Sequence, residues 1–232
     1  MKEVMMPNKA TPSPIIQVAG ILDLEEAQML VDAGFTHLGY PLFLDYHKED
    51  MTLEQVKDVI SSIGHACDHV LITYLNSAEK IKDTLDFLGT DWVQLHGLID
   101  SSEIKRLTKI RPKTKIIKSL VVGRESSKEI EDQIASLENY ITAFITDTFD
   151  PETGASGATG KTHDWKISKQ IIESTKTPVI IAGGLNEFNV GAAIKETAPA
   201  GVDVHTGIEG PDGKKDPSKA RAFVDNSKKL FT

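Results

Sequence analysis

Short apolar runs alternate with longer stretches of helical period along almost the whole chain. Residues 15–20, IIQVAG, are apolar, and their length and closing glycine mark a buried strand. Asp23 then caps a helix over 24–33, whose apolar stripe is Leu24, Ala27, Leu30 and Val31, and Gly34 stops it. The rhythm repeats with a strand at 37–42, then a helix at 53–63 that is capped by Thr52 and carries Val56, Val59, Ile60 and Ile63 on one face. Further strands fall at 70–75, 92–97, 115–121 and 143–148, with helices at 78–88 (capped by Ser77), 101–110, 127–137 and 165–174. Strands at 179–182 and 201–204, and helices at 186–196 and 217–230, complete the series. Strands that each lead into a helix at short spacing imply a parallel sheet with helical crossovers. A count of eight favours a closed α/β barrel, a (β/α)8 TIM barrel, over an open doubly wound sheet.

The pattern also predicts one domain, 15–232, behind an irregular leader, 1–14, that Pro12 and Pro14 close. The chain has 232 residues and is 40% hydrophobic, enough for one large core. Its net charge of −8 and the lack of a basic block argue against a nucleic-acid partner. No apolar run approaches the ~18 residues of a membrane span, and the N-terminus lacks the apolar core of a secretory signal. Cys67 is the only cysteine, which fits a reducing cytoplasm.

The residues from 178 to 207 carry the strongest local signal. Gly183-Gly184 ends one strand, and Thr206-Gly207 follows the next. Two adjacent glycine turns present two sets of backbone N–H groups side by side, the arrangement by which such a barrel binds phosphate after its seventh and eighth strands. Catalytic groups belong at the carboxyl ends of the strands. Asp147 stands at such an end, where partial desolvation raises a carboxyl pKa and suits it to general-acid work; a helix cap or an ion pair with Lys118 is the plain alternative. His96, two residues after Gln94, is as compatible with a structural role as with catalysis, and His205 lies beside the phosphate turns. Gln94 and Lys118 are candidate substrate ligands. His37 begins its strand and belongs at the opposite end of the barrel, whereas His47, His65, His69 and His163 fall in loops. No ligand spacing such as HExxH occurs, so no metal site is expected. The glycine-rich loop around 151–160 has one residue too many for a nucleotide-binding P-loop and reads as a lid over the barrel mouth.

In this order and spacing the motifs resemble phosphoribosylanthranilate isomerase of tryptophan biosynthesis. They are Gln94-Leu95-His96-Gly97, Asp147-Thr148, and residues 157–165, which are close to the family's GGTGKTFDW. Further on come residues 182–186 with Asn189-Val190, then 201–204, 207–209 and 213–216. The resemblance implies an Amadori rearrangement of a small phosphorylated sugar, an aldose–ketose isomerisation that uses no cofactor, in a cytoplasmic monomer or homodimer. By position Asp147 matches the general acid that opens the sugar ring. The family's base, the cysteine of a KICG motif, corresponds here to Ala19 in Gln17-Val18-Ala19-Gly20. Alanine cannot take a proton, and His205, His96 and His47 are the candidate replacements; Cys67 precedes its strand and belongs at the other end. The family's arginine after strand two, which meets the anthranilate carboxylate, is also missing, and Lys48 offers only a point charge there. Two alternatives therefore stay open: a paralogue acting on another phosphorylated substrate, and a non-catalytic sugar-phosphate binder.

Overall fold

The structure, a computed structural model, describes residues 13–44, 49–123, 125–148 and 165–231. Among them eight strands and eight helices alternate. The strands are β1 (Ile15–Ala19), β2 (His37–Leu42), β3 (Asp68–Thr73), β4 (Trp92–Leu95), β5 (Lys115–Val122), β6 (Ala143–Thr148), β7 (Val179–Ile181) and β8 (Gly201–Val204). The helices are α1 (Leu24–Ala33), α2 (Leu53–Ile63), α3 (Ala78–Leu88), α4 (Ser101–Ile110), α5 (Ser127–Leu137), α6 (Trp165–Ser174), α7 (Val190–Thr197) and α8 (Pro217–Lys228). Each strand pairs in parallel with its neighbours in sequence, and β8 pairs with β1, so the sheet closes into a barrel.

The strand period of two divides each strand between two cores. Ile16, Val18, Leu38, Leu71, Val93, Ile116, Leu120 and Phe144 face the helices in the larger core, where Phe223 of α8 stacks on Phe35. The alternate positions Ala19, Val70, Ile72, Trp92, Ile117, Ile145 and Ile180 form a second cluster. These residues belong inside the barrel, as a parallel sheet buried on both faces requires. At the amino-terminal end His37 is buried edge-on against Trp92, and burial lowers its pKa to about 4.

Several boundaries depart from the sequence expectation for local reasons. α7 begins at Val190 and not at residue 186. The intervening turn closes on itself: Asn186 Oδ1 accepts from the backbone N–H groups of Phe188 and Asn189, and Asn189 Oδ1 accepts from that of Asn186. Ser77 stands at the start of α3 but makes no capping bond; the N–H of Ala78 instead donates to Glu103 of α4 at 2.7 Å. In α1, Leu24 is exposed and Glu26 is buried, because the Glu26 carboxylate accepts from the N–H of Leu22 and that of Lys215. The caps at Asp23 and Thr52 form as expected. Residues 1–12 of the leader lie outside the described residues.

Closure depends on Gly201. A Cβ there would sit 2.5 Å from the Ile15 carbonyl oxygen, which is backbone and cannot swing aside. Gly201→Ala is expected to lower unfolding free energy by at least about 1–3 kcal/mol, read as a reduced urea midpoint with an unchanged slope.

Candidate active site

At the carboxyl end of β6, Asp147 has the parity of Ala143 and Ile145 and turns into the barrel. Its Oδ2 lies 3.3 Å from His96 Nδ1, and both side chains are about nine-tenths buried. The same nitrogen is 3.1 Å from Ser119 Oγ on β5, and Tyr74 meets the imidazole edge-on at 5.1 Å. With an ionised Asp147 the proton of a neutral His96 belongs on Nδ1, because a carboxylate only accepts. A protonated Asp147 would instead donate to that nitrogen, and in either state the pair holds the carboxyl against the ring.

Deeper in the barrel, Gln17 bridges two strands. Its amide donates to Gln94 Oε1 at 2.8 Å and to Asp203 Oδ1 at 2.9 Å. Gln94 therefore faces the interior as a site residue must, though its carbonyl oxygen is already engaged. Asp203 was not singled out in the sequence, yet it is the most perturbed carboxyl there. Protein surrounds it deep in the barrel even though part of its surface remains accessible. Burial first, and then the negative charge of Asp147, raise its pKa to about 8; the Gln17 hydrogen bond and Lys215 act against them. The available signal was parity: Asp203 lies two residues before His205, on the same side of the strand.

Lys118 is engaged within the protein. It shares the parity of Ile116 and Leu120, which pack toward the helices, while Ser119 faces His96. Its ammonium donates to the carbonyls of Leu95 and Gly97 at 3.3 Å and of Ser119 at 3.0 Å. Those bonds use all three donors of a lysine, so Lys118 ties the end of β4 to β5 and has none left for a ligand. Burial lowers its pKa to about 8.

His205 follows β8, and the register that sets Val18 against Val204 brings it level with Ala19. A Cβ on Gly20 would fall 2.2 Å from His205 Nε2, so the imidazole occupies the space beside the end of β1. The same nitrogen is 3.9 Å from Glu209 Oε1, within ion-pair reach but too far for a hydrogen bond.

The two glycine turns lie against each other. Gly183 and Gly184 have φ of 94° and 63°, the left-handed region that glycine enters without strain. Asn189 Nδ2 donates to the Gly184 carbonyl at 2.9 Å and fixes the turn. A Cβ on Gly207 would overlap the Leu185 carbonyl oxygen at 1.8 Å, so that position admits only glycine; Thr206 beside it is exposed. Lys48, His47, His163 and the 151–160 loop lie outside the described residues.

The proton on Asp203 links stability to pH. Its folded pKa, about 8, lies above the ordinary value near 4, so it favours folding at low pH and loses that contribution as pH rises through this window. Relative to wild type, Asp203→Asn is expected to gain stability between about pH 5 and pH 8, by at most about 1.4 kcal/mol per pH unit. Urea unfolding at several pH values measures the difference, and a flat difference would contradict it.

Comparison with known proteins identifies the family and agrees with the fold. The family model for N-(5'-phosphoribosyl)anthranilate isomerase matches residues 16–226. The N-(5'-phosphoribosyl)anthranilate isomerase 2 of Methanosarcina mazei is 34% identical over 218 residues, covering 93% of this chain and 95% of the relative. The Aquifex aeolicus isomerase is 35% identical over 216 residues, covering 92% and 98%. Among solved structures, the phosphoribosylanthranilate isomerase of Thermotoga maritima superposes with a TM-score of 0.78 at 26% identity, covering 92% of this chain and 98% of that one. The chain belongs to the N-(5'-phosphoribosyl)anthranilate isomerase family and is an isomerase of that type.

Proposed function

We propose that this isomerase converts phosphoribosylanthranilate to its ketose by an Amadori rearrangement, as a step of tryptophan biosynthesis. Asp147 is the general acid. It delivers a proton to the ribose ring oxygen as the bond from that oxygen to C1 breaks, leaving an open-chain Schiff base. His205 is the general base. It takes the proton from C2, and the enolamine then gains a proton at C1 as its C2 hydroxyl loses one and becomes the ketone, so the two protons given match the two removed. His96 orients Asp147, and Gln94 lines the pocket beneath. The phosphate rests on the backbone N–H groups of Gly183, Gly184 and Gly207 and on the Thr206 hydroxyl, and Lys48 is the candidate cation for the anthranilate carboxylate. No cofactor is needed, and the chain acts in the cytoplasm as a monomer or homodimer.

The observation that carries this reading is the Asp147–His96 pair, at 3.3 Å in the mouth of a barrel of this family. A base at 205 is supported by the imidazole beside Gly20, level with the alanine that replaces the family's cysteine. That alanine also favours a second reading, a binder that kept the phosphate turns and lost turnover.

Loss of fluorescence of freshly generated phosphoribosylanthranilate separates the two. Wild type should turn over, and Asp147→Asn and His205→Asn should each lose about 10²–10⁴-fold in kcat while still binding inorganic phosphate. Ala19→Cys added to His205→Asn should restore part of the rate. No turnover by wild type, with phosphate binding intact, would reject the isomerase assignment of substrate. Gly207→Ala should instead weaken phosphate binding about tenfold or more, since its Cβ would push the two turns apart; calorimetric titration with inorganic phosphate reads this directly.

A further inference from the structure

Residues 209–215, which follow the Thr206-Gly207 turn, fold back as a small hairpin that the reaction scheme above does not use. Glu209 and Lys215 pair across it in antiparallel fashion, Gly210 N–H donates to the Lys214 carbonyl at 2.7 Å, and Asp216 N–H donates to that of Ile208 at 2.8 Å. The Lys215 N–H is anchored to Glu26 of α1 at 2.8 Å, and the Lys219 ammonium donates to the Glu209 carbonyl at 2.7 Å. This scaffold buries the Lys215 side chain to about 1% exposure, with Nζ 2.7 Å from Glu209 Oε1. That oxygen is also the one 3.9 Å from His205 Nε2. One carboxylate oxygen therefore stands between an enclosed ammonium and the imidazole.

We propose that Glu209 and Lys215 are positioning residues that set the proton affinity of His205, with the carboxylate stabilising the imidazolium and the ammonium limiting that stabilisation. This deepens the assignment of His205 as base and rests on it. A base is most effective when its pKa lies near the working pH. A carboxylate alone beside His205 would hold the imidazolium too firmly and leave little free base at neutrality. Lys215 shares the same oxygen and draws part of its charge away. The wider surroundings of the device are acidic: Asp50 from the loop after β2 interacts with both Lys215 and Glu209, and Asp203 on β8 interacts with Lys215 and with Asp147 on β6. Gly20, which follows β1 and lies against the ring, contributes no charge.

The two partners act with opposite sign, which a merely structural role would not produce. In the full-length protein with labelled histidine, the His205 resonance is identified by its loss in His205→Asn and followed by NMR against pH. Glu209→Gln should lower its titration midpoint by about one pH unit, and Lys215→Met should raise it by a comparable amount. Glu209→Asp should bring the midpoint back toward wild type. The acid limb of kcat/KM should move in the same directions. Midpoints that stay put, or that move the same way in both variants, would overturn the proposal. If Lys215→Met does not fold, Glu209→Gln decides alone: an unmoved midpoint overturns it. The titration needs no turnover, so opposite shifts in a protein that fails to isomerise phosphoribosylanthranilate would uphold the device and reject only the substrate assignment.

Discussion

The parallel ladder that joins β8 to β1 decides which side chains can meet. Its register sets Gln17 against Asp203 and Val18 against Val204, so the interior receives Gln17, Ala19, Asp203 and His205 together. A slip of one residue would reverse every one of them and present Val18 and Val204 in their place. Asp147 and His96 depend on the same alternation along β6 and past the end of β4. The seam is narrow as well as registered: Gly201 is the only residue type that lets β1 approach so closely there.

Inside that frame the charges are arranged to limit one another. Lys118 is spent on three carbonyls at the β4–β5 end, and Lys215 is committed to Glu209. Asp203 avoids the cost of a second carboxylate near Asp147 by holding its proton near neutrality. The neutral Gln17 amide is its hydrogen-bond partner. At neutral pH Asp147 thus shares the interior with a protonated Asp203 and the neutral Gln17 amide.

Much of this was legible in the sequence, because its signals are local. Strand and helix alternation, the caps at Asp23 and Thr52, and the glycines that end strands each depend on a few neighbouring residues, and the barrel follows from their number. The strand-end position of Asp147 was readable for the same reason. The three carbonyl bonds of Lys118 were not legible because a strand-end position does not say which face a side chain takes; parity with Ile116 and Leu120 turns it outward. Asp203 and the Glu209–Lys215 pair were passed over because their properties come from residues far along the chain, Gln17 and Asp147 for the first and Glu26 for the second. The start of α7 was misplaced because asparagine side chains can take the backbone bonds that a first helical turn would otherwise use.

That asparagine turn also bears on how a ligand is greeted. Asn186 and Asn189 lock the backbone after β7 with bonds internal to the loop, and the carbonyl of Gly184 is tied down with them. The conformational entropy of ordering this segment is therefore lost when the chain folds and not when a ligand arrives. Any ligand that binds at this turn would meet a backbone already ordered, and the free energy of its contacts would be left for the rest of the molecule.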